Sequence, residues 1–192
     1  VGGMIEEPGG LIVNSPEKYA ALTGVTVLTG KEAIRLDAAS KSVAVKDVAT
    51  GEEEMLGYDK LVISVGASPS VPPVKGMGLS GVFTMRTPDD AIRVRDYVQD
   101  NGVKKAVVVG AGFIGLEMAE NLQQQGLAVT VIDFASQILP NILDEEMAFY
   151  GKKHLLKKGI RVITGTKAEE IVGEERVSAV KTSAGTLSCS LL

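Results

Sequence analysis

The sequence predicts an α/β protein made of two related halves, each combining a parallel sheet with a three-stranded antiparallel β-meander. Three observations support this prediction. A glycine-rich turn joins an apolar strand to a helix near the middle of the chain, the chain repeats itself at an offset of 135 residues, and alternating apolar and polar residues follow both copies of the repeat.

The glycine-rich turn lies in the stretch VVVGAGFIGLEMAENL, residues 107–122. Residues 104–109 predict a parallel strand, because the run ends in three consecutive valines. A helix is expected from the turn to Gly126, with Ile114, Met118 and Leu122 on its apolar side. A second strand follows at residues 128–132.

Gly110, Gly112 and Gly115 form the pattern GxGxxG, which is typical of a dinucleotide-binding turn when a strand precedes it and a helix follows it. Gly110 is expected to permit the tight turn. Gly112 should let a pyrophosphate approach the N–H groups at the positive end of the helix, and Gly115 should let the helix pack closely on the strand. The sequence therefore predicts a dinucleotide site here.

Asp133 follows the second strand and lies 23 residues after Gly110, close to the roughly 20 residues expected for the acid that binds an adenosine ribose. Its carboxylate would repel a 2′-phosphate, and the following residues, FASQILPN, contain no Arg or Lys to compensate. The sequence therefore favours NADH over NADPH.

The internal repeat is clearest in GVTVLTG, residues 24–30, and GIRVITG, residues 159–165, which share four of seven residues. The same offset aligns the two AVK triplets that end at Lys46 and Lys181. In both copies a helix ending in glycine leads to a strand and then to two stretches of period two. Duplication explains this unshifted pair of matches better than chance does.

Both halves are expected to be incomplete. The first copy continues with YDKLVISVGASP, residues 58–69, which predicts a buried central strand, whereas the second copy stops at SCSLL just as that strand should begin. The glycine turn precedes Gly159 by 49 residues, so its counterpart in the first copy would lie before Val1. We expect one partial domain at residues 1–81 and a second, nearly complete one at residues 82–192.

A connector and a helix join the two copies. Glycine and proline dominate residues 70–82, which indicates a linking segment. Thr87 before Pro88, with two aspartates in the next turn, predicts the start of a helix that runs to about Asp100.

Composition excludes several classes of function. A net charge of −4 offers no basic field for nucleic acid, and no apolar run reaches the roughly 20 residues of a membrane span. The chain has no signal-peptide pattern, so we expect a cytoplasmic protein. The single cysteine, Cys189, excludes an internal disulfide, and the single histidine, His154, is expected on the surface and leaves little material for a metal site.

The chain resembles the FAD-dependent pyridine nucleotide-disulfide oxidoreductases, most closely the branch of NADH oxidases and coenzyme A-disulfide reductases. Four stretches carry the resemblance: YDKLVISVGASP, VFTMRTPDDA, VVVGAGFIGLEMAENL and VTVIDFASQILP. The segment VGGMI, residues 1–5, also resembles the one that follows the active-site cysteine in this branch. The resemblance as a whole extends over essentially all of the chain.

The resemblance implies a Rossmann-like FAD/NAD(P)-binding fold, with a nearly complete NAD domain and a partial FAD domain. It implies that hydride passes from NADH to FAD and then to a disulfide, persulfide or oxygen/peroxide acceptor. The full-length parent is expected to be a homodimer that acts on a small-molecule or thiol/disulfide substrate, without nucleic acid or membrane partners. The fragment itself is expected to bind NADH and to turn nothing over.

Site residues follow from the resemblance by position. The three glycines of the turn and Ile114 line the dinucleotide, and Asp133 binds the adenosine ribose. Phe113 occupies the place of a tyrosine that covers the flavin in relatives, and Glu117 is expected near the nicotinamide. The strand end that approaches FAD is matched by Ser64, Val65, Gly66 and Ala67.

Two departures from the family pattern leave alternatives open. The family's catalytic cysteine is expected upstream of Val1, and Cys189 cannot replace it because it lies in the meander of the other half, where we expect a core or edge-strand residue. The family's C-terminal dimerisation domain is likewise expected outside this stretch of sequence. The parent could therefore be a ferredoxin or rubredoxin reductase-like flavoenzyme without a redox cysteine, or the chain could be a non-catalytic NAD-binding module.

Overall fold

A computed structural model describes residues 1–3 and 7–192. Met4, Ile5 and Glu6 lie outside the described residues, and with them part of the VGGMI match. The chain divides into two compact units, a smaller one formed by Gly9–Ala67 and a larger one formed by Val1–Pro8 and Ser68–Leu192.

The described residues contain four α-helices and nine strands. The helices are α1 (Pro16–Thr23), α2 (Pro88–Asp100), α3 (Phe113–Gln124) and α4 (Glu145–Lys157). The strands are β1 (Lys31–Asp37), β2 (Ser42–Asp47), β3 (Glu53–Gly57), β4 (Lys105–Val109), β5 (Ala128–Ile132), β6 (Arg161–Ile163), β7 (Ala168–Gly173), β8 (Val177–Thr182) and β9 (Gly185–Ser188).

The smaller unit contains α1 and the antiparallel meander β1-β2-β3. Ser15 caps the N-terminus of α1 by accepting a hydrogen bond from the Lys18 N–H, and Gly24 ends the helix in the left-handed conformation. Lys31 joins the strands electrostatically, since its ammonium lies 3.3 Å from Asp47 and 3.1 Å from Glu54.

The internal repeat is confirmed at the level of main-chain geometry. The first residue of β8 lies 135 residues after the first residue of β2, and their last residues have the same separation. The register of the first meander shifts between Ala33 and Arg35, and that of the second shifts between Ala168 and Glu170, again 135 residues later. Two meanders that share both a sequence match and the position of a bulge support duplication.

The larger unit is built in three layers. Strands β4, β5 and β6 form a parallel sheet in that order, and β7, β8 and β9 form a separate antiparallel sheet. Side chains alternate between the two faces of the parallel sheet: Ala106 and Val131 pack with Leu122 of α3 and Leu155 of α4, whereas Val107 packs towards the meander. The parallel sheet is therefore covered by helices on one face and by the meander on the other.

The final residues lie beside β4. Leu191 forms a parallel bridge with Ala106, and its carbonyl accepts a hydrogen bond from the Val107 N–H at 2.9 Å. Cys189 is 4% exposed among the core residues of the meander, as expected, and burial raises the pKa of its thiol to about 11. The Cys189 thiol is therefore neutral near pH 7 and poorly nucleophilic.

Most of the predicted elements are confirmed. Helix α2 begins after Thr87 and ends at Asp100, β5 has the predicted bounds, and His154 is exposed on α4. Residues 68–81 pack in the larger unit, where Lys75 bridges Glu170 and Ser80 bridges Arg176. The units therefore divide between Ala67 and Ser68, ahead of the predicted boundary at 81/82.

Two predicted strands are wrong. Residues 24–30 and 58–69 form no strand, and apolar side chains of both segments are exposed, including Val62 at 87% and Val27 at 37%. The counterpart of Val27 in the second copy, Val162, pairs with Val131 and is 9% exposed. The first copy has no such partner strand in the described chain, and an extended segment becomes a strand only when a partner accepts its hydrogen bonds.

Candidate functional site

The candidate site lies at the carboxyl edge of the parallel sheet. Val109 pairs with Ile132, and Ile132 pairs with Ile163, so the three strands end level with one another. Gly110 and Asp133, which directly follow β4 and β5, are therefore brought to the same edge. In open parallel sheets this edge is where ligands bind.

Gly110 and Gly115 are required by the protein itself. Gly110 has a φ of 113°, a conformation that L side chains rarely adopt. A Cβ on Gly115 would lie 2.0 Å from the Gly110 carbonyl oxygen, so only glycine lets α3 approach the turn this closely. Both residues thus have the roles that the sequence predicts.

Gly112 is required by neither backbone conformation nor packing. Its φ of −80° suits any residue, and a Cβ built on it would meet no protein atom within 4 Å. The space in front of Gly112 is open to a ligand, and a side chain there would project into it. This is the arrangement that a dinucleotide pyrophosphate needs.

The N-terminus of α3 presents free donors beside Gly112. In the described chain, no main-chain or side-chain group accepts a hydrogen bond from the N–H of Gly112, Phe113, Ile114 or Gly115. Gly112, as N-cap, has no side chain to cap the helix, and the first turn of α3 contains no acidic residue. Unpaired N–H groups at the positive end of a helix dipole favour an anion.

Asp133 lies at the other side of the turn and is 9% exposed. One carboxylate oxygen accepts a hydrogen bond from the Ala111 N–H at 2.6 Å, and the other accepts one from the Ala135 N–H at 2.7 Å. A carboxylate oxygen accepts more than one hydrogen bond, so both oxygens retain capacity for ribose hydroxyls. Asp133 therefore fixes the turn, and its role at the adenosine ribose stays a prediction.

Three predicted residues lie on the exposed side of α3. Phe113 is 57% exposed, Ile114 is 56% exposed, and Glu117 is also exposed. The prediction that Ile114 shares the apolar face of Met118 and Leu122 is wrong. Ile114 lies in the first turn of α3, at the open end of the helix beside Gly112, and is not among the residues that pack against the core.

Ser64, Val65, Gly66 and Ala67 belong to the smaller unit, whereas the glycine turn belongs to the larger one. They lie in a segment without regular secondary structure, with Val65 86% exposed and Gly66 in the left-handed region at a φ of 70°. Nothing in this geometry selects a flavin over another ligand. Their assignment to FAD stays a prediction from the resemblance.

Sequence reasoning missed two residues whose main chain shapes the turn. Ala111 is fully buried and donates its N–H to Asp133, and its carbonyl accepts a hydrogen bond from the Leu139 N–H at 3.0 Å. Both residues act through peptide groups, so their side chains carry no signal.

A parallel sheet followed by a glycine turn and a helix N-terminus is the arrangement of a Rossmann-like FAD/NAD(P)-binding fold. The chain belongs to the pyridine nucleotide-disulphide oxidoreductase family, whose model matches residues 6–192.

Two curated relatives show what the chain is similar to. A NADH oxidase of Methanocaldococcus jannaschii is 41% identical over 180 residues, which make up 94% of this chain and 40% of the relative. A NAD(P)H coenzyme A polysulfide/persulfide reductase of Pyrococcus horikoshii is 34% identical over 98% of this chain and 41% of the relative. The chain thus spans about 40% of the length of these proteins.

Among solved structures, the water-forming NADH oxidase of Lactobacillus brevis, bound to NADH, is 27% identical with a TM-score of 0.89 over 99% of this chain and 42% of the other. An engineered NADPH-bound variant of that oxidase, with replacements at five positions, matches with 26% identity and a TM-score of 0.88 over the same shares of the two chains.

Among the described residues, no helix is both long and apolar enough to cross a membrane.

Proposed function

We propose that this chain carries the NADH site of a flavin-dependent oxidoreductase, which passes hydride from NADH to FAD and on to a disulfide, persulfide or oxygen/peroxide acceptor. The observation that supports this most directly is Gly112, a glycine that the fold does not require, facing open space beside four unpaired N–H groups. Relatives named as NADH oxidases and persulfide reductases support the reaction class.

The residues of the chain divide the binding of NADH between them. The N–H groups at the start of α3 would bind the pyrophosphate, and the Asp133 carboxylate would bind the adenosine ribose. Bound NADH supplies the hydride. Glu117 and Phe113 lie on the exposed side of the same helix, and we assign them to the nicotinamide end and to the flavin-facing side, respectively.

We further propose a preference for NADH over NADPH, set by Asp133. In the engineered NADPH-bound oxidase, the replaced glycine, aspartate and proline are spaced by 18 and 7 residues, the same spacing as Gly115, Asp133 and Pro140 in this chain. That aspartate was changed to alanine, and the next residue was changed to arginine. The same logic applies here, since a carboxylate repels a 2′-phosphate.

The remaining assignments concern the whole protein. We propose FAD as its second cofactor, with Ser64–Ala67 at the flavin, in a partial FAD domain within residues 1–81 and an NAD domain within residues 82–192. A homodimeric, cytoplasmic protein that acts on a thiol, disulfide or other small molecule completes the proposal.

A calorimetric titration of the 192-residue chain with NADH, NADPH and FAD in parallel tests the proposal. We expect a saturable heat with NADH and a much weaker response to NADPH. Absence of NADH binding by the folded chain would refute the site. Equal affinity for NADH and NADPH would refute the role of Asp133, and stoichiometric FAD uptake would show that the flavin site is already formed within this chain.

A further inference from the structure

Leu139 adopts a main-chain conformation that leucine normally avoids. Among the described non-glycine residues only Lys41 and Leu139 have a positive φ, at 48° and 47°. Lys41 lies in the turn between β1 and β2, where a left-handed residue is common. Leu139 is the first residue of a turn whose central residues are Pro140 and Asn141, so the turn itself does not require a left-handed residue at position 139. The following proline further disfavours a helical backbone at this position.

Hydrogen bonds to its carbonyl and the tight packing of the preceding residue hold Leu139 in this conformation. Its carbonyl accepts hydrogen bonds from the N–H groups of Ile142 and Leu143, both at 3.0 Å. The preceding residue, Ile138, is 2% exposed and packs against Gly151 of α4 so tightly that a Cβ there would lie 2.8 Å from its Cδ1. A disfavoured conformation persists only when its surroundings determine it, and such residues concentrate at functional sites.

In this conformation the Leu139 N–H lies beside the glycine turn and donates a hydrogen bond to the Ala111 carbonyl at 3.0 Å. That carbonyl and the Gly112 N–H belong to one planar trans peptide, so they point in opposite directions. Fixing the carbonyl towards Leu139 therefore directs the Gly112 N–H away from it. The preceding peptide is fixed as well, because the Ala111 N–H donates to Asp133 at 2.6 Å.

We infer that Leu139 is a positioning residue for the dinucleotide site: its left-handed main chain orients the Ala111–Gly112 peptide so that the Gly112 N–H is directed at the pyrophosphate before the ligand arrives. This inference rests on the proposed function, since it takes the pyrophosphate as the group that Gly112 meets. The side chain of Leu139 is secondary in this role, and its backbone conformation is what matters.

Three substitutions separate a backbone role from a side-chain role. Leu139→Asn and Leu139→Gly tolerate the left-handed conformation but remove the apolar side chain, whereas Leu139→Val keeps an apolar side chain but disfavours the conformation strongly. We expect the Asn and Gly variants to bind NADH within about twofold of wild type and the Val variant to bind at least about tenfold more weakly. The reverse order would show that packing of the side chain matters instead and would overturn the inference.

A second measurement needs no ligand. In wild type and Leu139→Asn, the N–H of residue 139 should exchange slowly with solvent, and the Gly112 amide resonance should be little changed between them. In Leu139→Val the same N–H should exchange fast and the Gly112 resonance should shift. Equal protection in the Asn and Val variants would overturn the inference. If the Val variant does not fold, Leu139→Thr replaces it, because threonine is also β-branched, with the same expected order relative to Asn.

The two measurements distinguish the two proposals. If wild type does not bind NADH, the proposed function fails, and the amide measurements still test whether Leu139 orients the turn. If wild type binds NADH and the Val variant binds it equally well, the inference about Leu139 fails and the proposed function stands.

Discussion

Gly115 lies against Gly110 so closely that a Cβ on Gly115 would stand 2.0 Å from the Gly110 carbonyl oxygen and 3.4 Å from a methyl group of Val108. The third glycine of the turn is therefore a packing residue, whose absent side chain sets the distance between α3 and β4. Gly112, three residues earlier, makes no such contact. The two glycines should respond differently to the same kind of substitution.

Gly115→Ala should lower the free energy of unfolding by about 1–3 kcal/mol, because backbone atoms must move to admit the methyl group. Gly112→Ser serves as the matched control. Its side chain enters open space, and serine is a favourable N-cap residue, so its stability should equal or exceed that of wild type. Urea denaturation followed by circular dichroism measures both, and equal losses in the two variants would contradict the packing role of Gly115.

Gly112→Val should abolish NADH binding while the protein stays folded, because the valine side chain would occupy the place of the pyrophosphate. Gly78→Val is the control, since Gly78 is exposed and a Cβ there would also meet no atom within 4 Å. Calorimetry with NADH measures the affinity, and the melting temperature reports the fold. Undiminished binding by Gly112→Val would remove Gly112 from the site.

Asp133→Ala should weaken NADH binding and reduce the discrimination against NADPH. The N–H groups of Ala111 and Ala135 lose their acceptor, which should cost about 1–3 kcal/mol for each group left buried and unpaired. The informative quantity is therefore the ratio of the NADPH and NADH dissociation constants on the same variant, because damage to the turn affects both ligands. That ratio should fall about tenfold or more. An unchanged ratio would exclude Asp133 from the ribose site.

Acidification should remove the stabilising effect of Asp90 at the start of α2. The Thr87 N–H donates to one carboxylate oxygen at 2.8 Å and the Arg93 guanidinium contacts the other, and together they lower the pKa of Asp90 from 3.8 to about 2. Because the pKa of Asp90 is lower in the folded state than in the unfolded chain, the ionised carboxylate stabilises the protein at pH values above the unfolded-state pKa, near 4. This stabilisation is lost as the pH falls towards 2, where the carboxylate of the folded protein becomes protonated.

Comparison of wild type with Asp90→Asn by urea denaturation at pH 7, 5, 3 and 2 tests this expectation. The stability difference should be constant from pH 7 to 5 and should shrink between pH 4 and 2. Asp89→Asn, at an exposed neighbouring position, controls for the loss of negative charge from the first turn. A difference that grows on acidification would contradict the assignment.

Local signals made most of the larger unit predictable from sequence. Thr87 and Pro88 mark the start of α2, and the order of strand, glycines, helix and Asp133 identifies the candidate site. Each of these signals can be read from sequence because it lies in or directly beside the element that it predicts. Strand pairing is not local. Val27 and Val162 lie in sequence stretches that share four of seven residues, yet among the described residues only Val162 has a neighbouring strand to pair with. The left-handed Leu139 had no sequence signal, because its neighbours in space impose it.

The exposed apolar segment near the end of the smaller unit, residues 61–66, affects how the protein associates in solution. Residues 61–66, LVISVG, carry no charge and no proline, and Val62, Ile63 and Val65 are 87%, 67% and 86% exposed. A segment of this composition, without a partner strand, is a template for β-pairing between molecules. Aggregation through this segment, rather than unfolding of the larger unit, should therefore limit the solubility of the purified chain. The substitution Ile63→Lys should raise that solubility and slow aggregation during storage.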